Sequence, residues 1–447
     1  MFGLYGLLLR LAWAVVLPYQ IVIARWRGLP GPPILERLAR GRALASVRPG
    51  GFWVHAVSVG EVRLALNLIG ELRRRAPGRP VHLTTCTRTG RALALEAVRS
   101  SAAGGPDSVS DLPLDLPGPV ARFLERLRPA ALVILETELW PNLIRISGAR
   151  GVPVFIVNGR ISERSFPRYR WFRPLLARSL PRAALFIMQS ADDASRLAAL
   201  GAPADHVVVG GNMKYDLPAP RVDGQAVRRR IGAGPDDTVL VAGSTARGEE
   251  PAVLGAFSAL RKVSPASRLV LAPRHPEDLE AAREAVRHAG LRLLAWSDLA
   301  REGAPAGGGC PAHDVLLVDV VGILPELYAA ATLAFVGGSL VPRGGQNLLE
   351  PAAQGKPVLY GPHIENFRSV AGALAAQGGG FMAQDASELA SLVLRLAADP
   401  KAIDAAGTSA RRVVESQRGA LARTLDHMEA ALRSSAPMDA SAGRARP

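Results

Sequence analysis

FWVHAVSVGEVRLALNLIGELRRRAPGRPVHLTT, residues 52–85, is the stretch that decides the fold. It opens on an apolar run at 52–57, then repeats Val62, Ala65, Leu66, Ile69 and Leu72 at helical spacing, and closes on a second apolar run at 81–85. Strand, helix and strand in that order imply a right-handed crossover between parallel neighbours, in a sheet covered by helices on both faces. The alternation continues outward, with candidate strands at 131–135, 154–157 and 185–188, and again at 239–242, 269–272, 315–318, 333–336 and 358–360. The expected fold class is α/β, with two doubly wound halves. Prolines in LPAPRVD, residues 217–223, interrupt both periodicities and place the join there. SAAGGPDS from Ser101 and EGAPAGGGCPA from Glu302 read as surface loops. Two such halves facing each other would leave a cleft at the carboxyl ends of their strands, where ligands of open α/β sheets bind.

Composition supports this reading. The 447 residues are 48% hydrophobic, which excludes a disordered chain, and the length suits two or three domains. The two cysteines, Cys86 and Cys310, stand far apart with no CxxC or Cys/His cluster, so neither a disulfide framework nor a zinc site is indicated. Lys and Arg number 54 against 39 Asp and Glu, a formal charge of +15. Local concentrations at Arg73, Arg74, Arg75 and at Arg228, Arg229, Arg230 read either as solvated helix ends or as contacts to an anionic partner.

The first 24 residues carry one charge, Arg10, and are followed by Arg25 and Arg27. This pattern fits an uncleaved membrane anchor, because a secretory signal has basic residues before the apolar run and a small-residue cleavage site after it. Arg10 and Pro18 leave two forms open, a tilted span and a helix lying in the interface, beside the plain reading of a helix covering a core. Arg37, Arg40, Arg42 and Arg48 make the next segment basic, as suits an anionic cytoplasmic leaflet. The expected organisation is an anchor at 1–27, α/β domains at 28–216 and 217–435, and a disordered tail at 436–447.

Six motifs carry candidate chemistry. HAVSVGE, from His55, runs from strand through a small-residue turn into a helix whose start bears Glu61. That carboxylate either complements the helix dipole or acts as a general base on an acceptor hydroxyl. ILETELWPN, from Ile134, presents Glu136 and Glu138 at a strand exit, with Glu136 the expected cleft residue and Glu138 open to a water-facing role. GGNMKYD, from Gly210, puts Lys214 after a short strand, as an exposed cation or as a group offsetting charge on a transferred group or its phosphate. GSTARGEE supplies Ser244 and Thr245, with hydroxyls and backbone N–H groups for a phosphate at a helix start, and LAPRHPE supplies Arg274. FVGGSLVPRGGQNLLEPAAQGKPVLYGP, from Phe335, follows its glycines with Asn347 and Glu350, three apart and expected on one helix face. A carboxylate there can accept hydrogen bonds from both hydroxyls of a ribose; the plain alternative is a capped helix after a glycine turn.

Together with TTCTRTG, NGRIS and HIENF, these motifs resemble the 3-deoxy-D-manno-octulosonic acid (Kdo) transferases of lipid A assembly, in order along nearly the whole chain. The resemblance implies a GT-B fold, with an acceptor-binding N-terminal domain, a CMP-Kdo-binding C-terminal domain, and anchorage at the cytoplasmic face of the inner membrane. It implies inverting transfer of Kdo from CMP-Kdo to a tetraacyl lipid A precursor, lipid IVA, with no metal and no cofactor. By motif, Glu61 matches the general base, and Glu136 and Lys214 match transition-state stabilisers. Ser244, Thr245, Pro273, Arg274, Val321, Gly322, Ile323, Gly345, Asn347, Leu348, Leu349 and Glu350 match or adjoin the stretches that bind CMP. Ala246 and Arg247 stand where a histidine and an acid are common, Ile323 where an acid often follows the glycine, and Gln346 where histidine is frequent.

Two other readings compete. One is a GT-B transferase moving a sugar from a UDP donor to a lipid. The other is a non-enzymatic, membrane-tethered nucleotide- or nucleic-acid-binding protein, which predicts salt-sensitive polynucleotide binding. Against nucleic acid as a partner stand the absence of a nucleic-acid motif and an aromatic content of 5%.

Overall fold

Among the described residues, seven parallel strands build each of two sheets. The computed structural model describes residues 1–26, 28, 31–41, 44, 47–100, 104–218, 222–301 and 310–435. Arg27, Arg42, residues 101–103 and 302–309 of the two expected loops, residues 219–221 of the join and the tail at 436–447 lie outside the described residues.

The first sheet comprises β1 (Phe52–His55), β2 (Val81–Thr85), β3 (Ser108–Asp111), β4 (Ala131–Leu135), β5 (Val154–Gly159), β6 (Leu185–Met188) and β7 (Val207–Val209), in the order β3-β2-β1-β4-β5-β6-β7. The second comprises β8 (Val239–Thr245), β9 (Arg268–Pro273), β10 (Leu293–Ala295), β11 (Val315–Leu317), β12 (Leu333–Val336), β13 (Val358–Tyr360) and β14 (Gly380–Met382), in the order β10-β11-β9-β8-β12-β13-β14. Winding reverses between β1 and β4 in one sheet and between β8 and β12 in the other, and such switch points are where open sheets take ligands.

The strands read as unbroken apolar runs because both faces are covered. Trp53, Leu132 and Ile134 pack on one side with Phe123, while Val54, Val133 and Leu135 pack on the other with Leu68 and Ile69. Each fully buried side chain of this size contributes ~1.5–3 kcal/mol relative to exposure. Helix Val59–Arg75 turns Val62, Ala65, Leu68, Ile69 and Leu72 inward and ends on Arg73, Arg74 and Arg75. Those arginines pair with Asp107, Glu71, Asp426 and Glu429 on the same unit, which favours the structural reading of the triplet.

The chain divides into one unit of Met1–Leu217 with Gly419–Pro447, and a second of Pro218–Arg418. The expected second domain, 217–435, therefore needs correction at its carboxyl end, because the last helix, Ala420–Ser435, belongs to the first unit. Asp216 accepts the N–H groups of Gly419 at 2.6 Å and Leu421 at 2.7 Å, and Arg423 Nε donates to the Gly210 carbonyl. Leu421, Leu425 and Met428 complete the core beside Ile187 and Met213.

Helix Phe2–Trp26 is long and apolar enough to cross a membrane by length and composition; at ~1.5 Å per residue its 25 residues exceed a ~30 Å hydrocarbon core. Leu4, Leu7, Leu8, Leu11, Val15, Val16, Tyr19, Ile21, Val22 and Trp26 are exposed. Its other stripe rests on the first unit: Tyr5 donates to Asp115 at 2.8 Å, and the Arg145 and Arg37 guanidinium groups stack over Phe2 and Trp13.

Candidate active site

Glu61 stands just beyond β1, in the first turn of helix Val59–Arg75. Ser58 caps that helix and its hydroxyl donates to Glu61 Oε1 at 2.8 Å, while the Val57 N–H donates to Oε2 at 2.8 Å. The helix-start role anticipated for this carboxylate is thus real, yet each oxygen keeps a second lone pair for a proton. Burial holds the carboxyl above the usual glutamate range against the pull of the Val57 N–H, and the charge on Glu136 adds to the rise. The turn is braced from β2: Thr87 Oγ1 donates to the Val57 carbonyl at 2.9 Å and caps helix Arg88–Arg99 through Gly90 N–H. A Cβ on Gly90 would lie 2.8 Å from Thr87 Oγ1 and 3.2 Å from the Val57 oxygen, so only glycine permits this approach.

Glu136 follows β4 with φ +56°, a left-handed conformation costly for a residue with a side chain, and Val157 O fixes its N–H at 2.9 Å. Its carboxylate meets Lys214, Nζ to Oε1 2.7 Å, with both side chains about a quarter exposed. Glu138 is not a freely water-facing acid. Burial pushes it up to about 7, helped by the charges of Glu61 and Glu136. Three carboxyls and a lysine therefore gather at the carboxyl ends of β1, β4 and β7, with Glu61 and Glu136 flanking the first switch point.

The turn Met213–Asp216 that carries Lys214 is held from several sides. Asn158 Oδ1 accepts the Met213 N–H at 2.9 Å, Asn212 Oδ1 accepts the Lys214 N–H at 3.0 Å, and Asn67 Nδ2 donates to the Asp216 carbonyl. Asn158 is fully buried at the end of β5, with φ +55°. Neither Asn158 nor Thr87 was singled out as a site residue from sequence. Their signals lay in NGRIS and TTCTRTG, where a buried asparagine closes a strand and a capping threonine follows one.

In the second unit, Ser244 and Thr245 end β8, and Ser244 has φ +53°. Thr245 is buried and its carbonyl accepts the Arg274 N–H at 2.9 Å, which binds the exposed Arg274 and Pro273, at the end of β9, to the β8 exit. Val321 is exposed, Gly322 has φ +102°, and Ile323 opens helix Leu324–Ala330. Gly345, with φ +75°, donates to the Gly338 carbonyl at 2.8 Å.

Three expectations change here. Asn347 does not share a helix face with Glu350, because that helix starts only at Leu349; Asn347 precedes it, accepting the Leu349 N–H and donating to Glu350 Oε1, both at 3.1 Å. Leu348 and Leu349 have buried side chains, so they offer a ligand only backbone groups. Two amides of the loop after β8 are already taken: Ala246 N–H goes to Glu249 and Gly248 N–H to Glu250. Among the described residues, no group of three or more His, Cys, Asp or Glu side chains could hold a metal ion.

Comparison with known proteins gives this geometry a context. Residues 33–217 match the family profile of 3-deoxy-D-manno-octulosonic-acid transferase (kdotransferase). The 3-deoxy-D-manno-octulosonic acid transferase of Bordetella pertussis is 37% identical, over 84% of this chain and 86% of its own length. That of Haemophilus influenzae is 34% identical over 85% and 86%, and that of Aquifex aeolicus 30% over 83% and 92%. HepE of Anabaena in complex with UDP superposes with a TM-score of 0.57 at 16% identity, over 86% of this chain and all of that one. UDP-GlcNAc 2-epimerase from Neisseria meningitidis does so with 0.54 at 15%, over the same shares, and these two likenesses concern the fold alone.

Proposed function

This chain belongs to the Kdo transferase family of glycosyltransferases, and on that premise we propose that it moves Kdo from CMP-Kdo to the tetraacyl lipid A precursor with inversion, Glu61 serving as general base. The observation that carries the proposal is the gathering of Glu61 with the Glu136–Lys214 pair at the switch point of the first sheet. A neutral sugar hydroxyl is a poor nucleophile. A carboxylate held above its usual range, and so nearer neutrality, is a better proton acceptor than an ordinary glutamate.

In the proposed step the acceptor's 6′-hydroxyl passes its proton to Glu61 as its oxygen bonds to the anomeric carbon of Kdo. The bond from that carbon to the CMP phosphate oxygen breaks on the opposite face, and CMP leaves with the electron pair. Lys214 offsets negative charge developing as the phosphate departs, and Glu136 keeps the ammonium placed. Arg274 would grip the donor phosphate, and Glu350, steadied by Asn347, would take the ribose hydroxyls. The leaving group is a phosphate monoester, good enough that the step requires no metal in this scheme. The exposed apolar stripe of helix Phe2–Trp26 would anchor the protein at the cytoplasmic face of the inner membrane, where its lipid acceptor lies.

Incubating detergent-solubilised protein and lipid acceptor with CMP-Kdo or with UDP-N-acetylglucosamine tests the donor and acceptor together. Mass gain by Kdo with the first donor alone is expected. Gain only with the second would replace this reading by the UDP-sugar transferase.

A further inference from the structure

Glu249 lies between the loops that follow β8 and β12, the two strands flanking the second switch point, and is fully buried. Its Oε2 accepts the N–H groups of Ala246 at 2.8 Å and Gly338 at 2.7 Å, and its Oε1 accepts those of Ser339 at 2.9 Å and Leu340 at 2.8 Å. A buried charge persists only when its lone pairs are satisfied, and here four backbone donors from two loops satisfy them. The approach is close: a Cβ on Gly337 would fall 2.7 Å from Glu249 Oε2 and 2.4 Å from Thr245 Cα.

The consequences run on through the site. Gly338, fixed by Glu249, offers its carbonyl to Gly345, two residues before Asn347. Ser339 donates its hydroxyl to the Val336 carbonyl at 2.6 Å and accepts the Gly361 N–H at 2.8 Å, which ties the same turn to the exit of β13. Consecutive amides after a glycine-rich turn resemble a phosphate cradle, but here a side chain of the protein already occupies it.

We propose that Glu249 is a positioning residue of the donor site, an internal anion that fills the amide cluster after β12 and sets the shape of both glycine-bearing loops. CMP is then held by groups outside that cluster, Arg274 and Glu350 among them. The inference rests on the reading that this unit takes CMP-Kdo. Glutamine at 249 presents an NH₂ to two N–H donors whichever way its amide turns, so the turn shifts without any loss of side-chain length.

The test uses the full-length protein in detergent. Calorimetry with CMP on the wild type first examines the donor reading; absence of binding overturns that reading and the inference with it. Where the wild type binds, Glu249→Gln is expected to weaken CMP binding and raise the KM for CMP-Kdo by about tenfold or more, while the KM for the lipid acceptor stays within about twofold. A merely structural glutamate would lower the yield of folded protein without that split. Unchanged CMP affinity and donor KM in folded Glu249→Gln overturn the inference and leave the donor reading standing. Should the variant not fold, hydrogen exchange on the wild type decides. Slow amides at Ala246 and 338–340 in the free protein, not slowed further by CMP, support the inference, and amides that become protected only when CMP binds overturn it.

Discussion

Lys214 Nζ lies 2.7 Å from Glu136 Oε1, joining the turn after β7 to the strained exit of β4 in one ion pair. The pair is partly buried, so bulk solvent screens it less than a surface contact. Each member helps to set the position of the other, and in the proposed mechanism both serve the same reaction.

Variants at the two positions should therefore not act independently. Glu136→Gln and Lys214→Met are each expected to lower kcat by ~10²–10³, and the double variant to fall well short of the product of the two losses. Steady-state kinetics over the four proteins measures the coupling. Losses that multiply would show that the contact carries no shared function.

A general base must be ionised, so kcat/KM should rise with pH along an acid limb belonging to Glu61. Because burial and the Glu136 charge hold this carboxyl above the ordinary 4.5, the limb should lie above that value. A pH–rate profile of the wild type checks this, and a flat profile from pH 4 upward would contradict it.

Glu138 makes a prediction about stability. Its folded value is about 7 against an ordinary 4.5, so between those limits the folded state keeps a proton that the unfolded state releases. Its contribution is complete below about 4.5 and is lost as pH rises to about 7. Glu138→Gln removes the ionisation and should stabilise the protein at pH 8 by ~1–3 kcal/mol relative to wild type, with little effect near pH 4. Melting curves at the two pH values measure the difference, and equal shifts at both would contradict it.

Asn158→Ala should remove the acceptor for the Met213 N–H and loosen the turn that carries Lys214. Leaving that buried donor unpaired costs ~1–3 kcal/mol in stability, and kcat should fall more than the KM for either substrate rises. Chemical denaturation and kinetics on the same preparation separate the two effects. Unchanged kcat would mean that Lys214 is placed without Asn158.

The parts of the fold legible in sequence were those buried on both faces. All ten strands inside the two sheets stood out as apolar runs, since residues such as Trp53 and Val54 meet different cores on opposite sides. The four edge strands were missed or left without bounds: β3, β10 and β14 were not read, and β7 entered only as a short strand ahead of Lys214. These edges are short, and Val209 and Met382 stay exposed, so the apolar signal fades. The last helix was not read as an element of its own, and nothing local says that Asp216, 203 residues earlier than Gly419, holds its start. At the site, residue types at strand exits were readable. The pairing of Lys214 with Glu136, the strain at Glu136 and Ser244, and the capture of four amides by Glu249 depend on long-range approach, which spacing does not encode.

The central claim is Kdo transfer with Glu61 as the base, and mass spectrometry of the lipid acceptor after incubation with CMP-Kdo tests it most directly, with wild type beside Glu61→Gln and CMP binding measured on both. The account predicts an acceptor heavier by one or more Kdo units with the wild type, almost none with the variant, and equal CMP affinity. Wild-type turnover by a folded Glu61→Gln protein, or no Kdo product from a CMP-binding wild type, would contradict it.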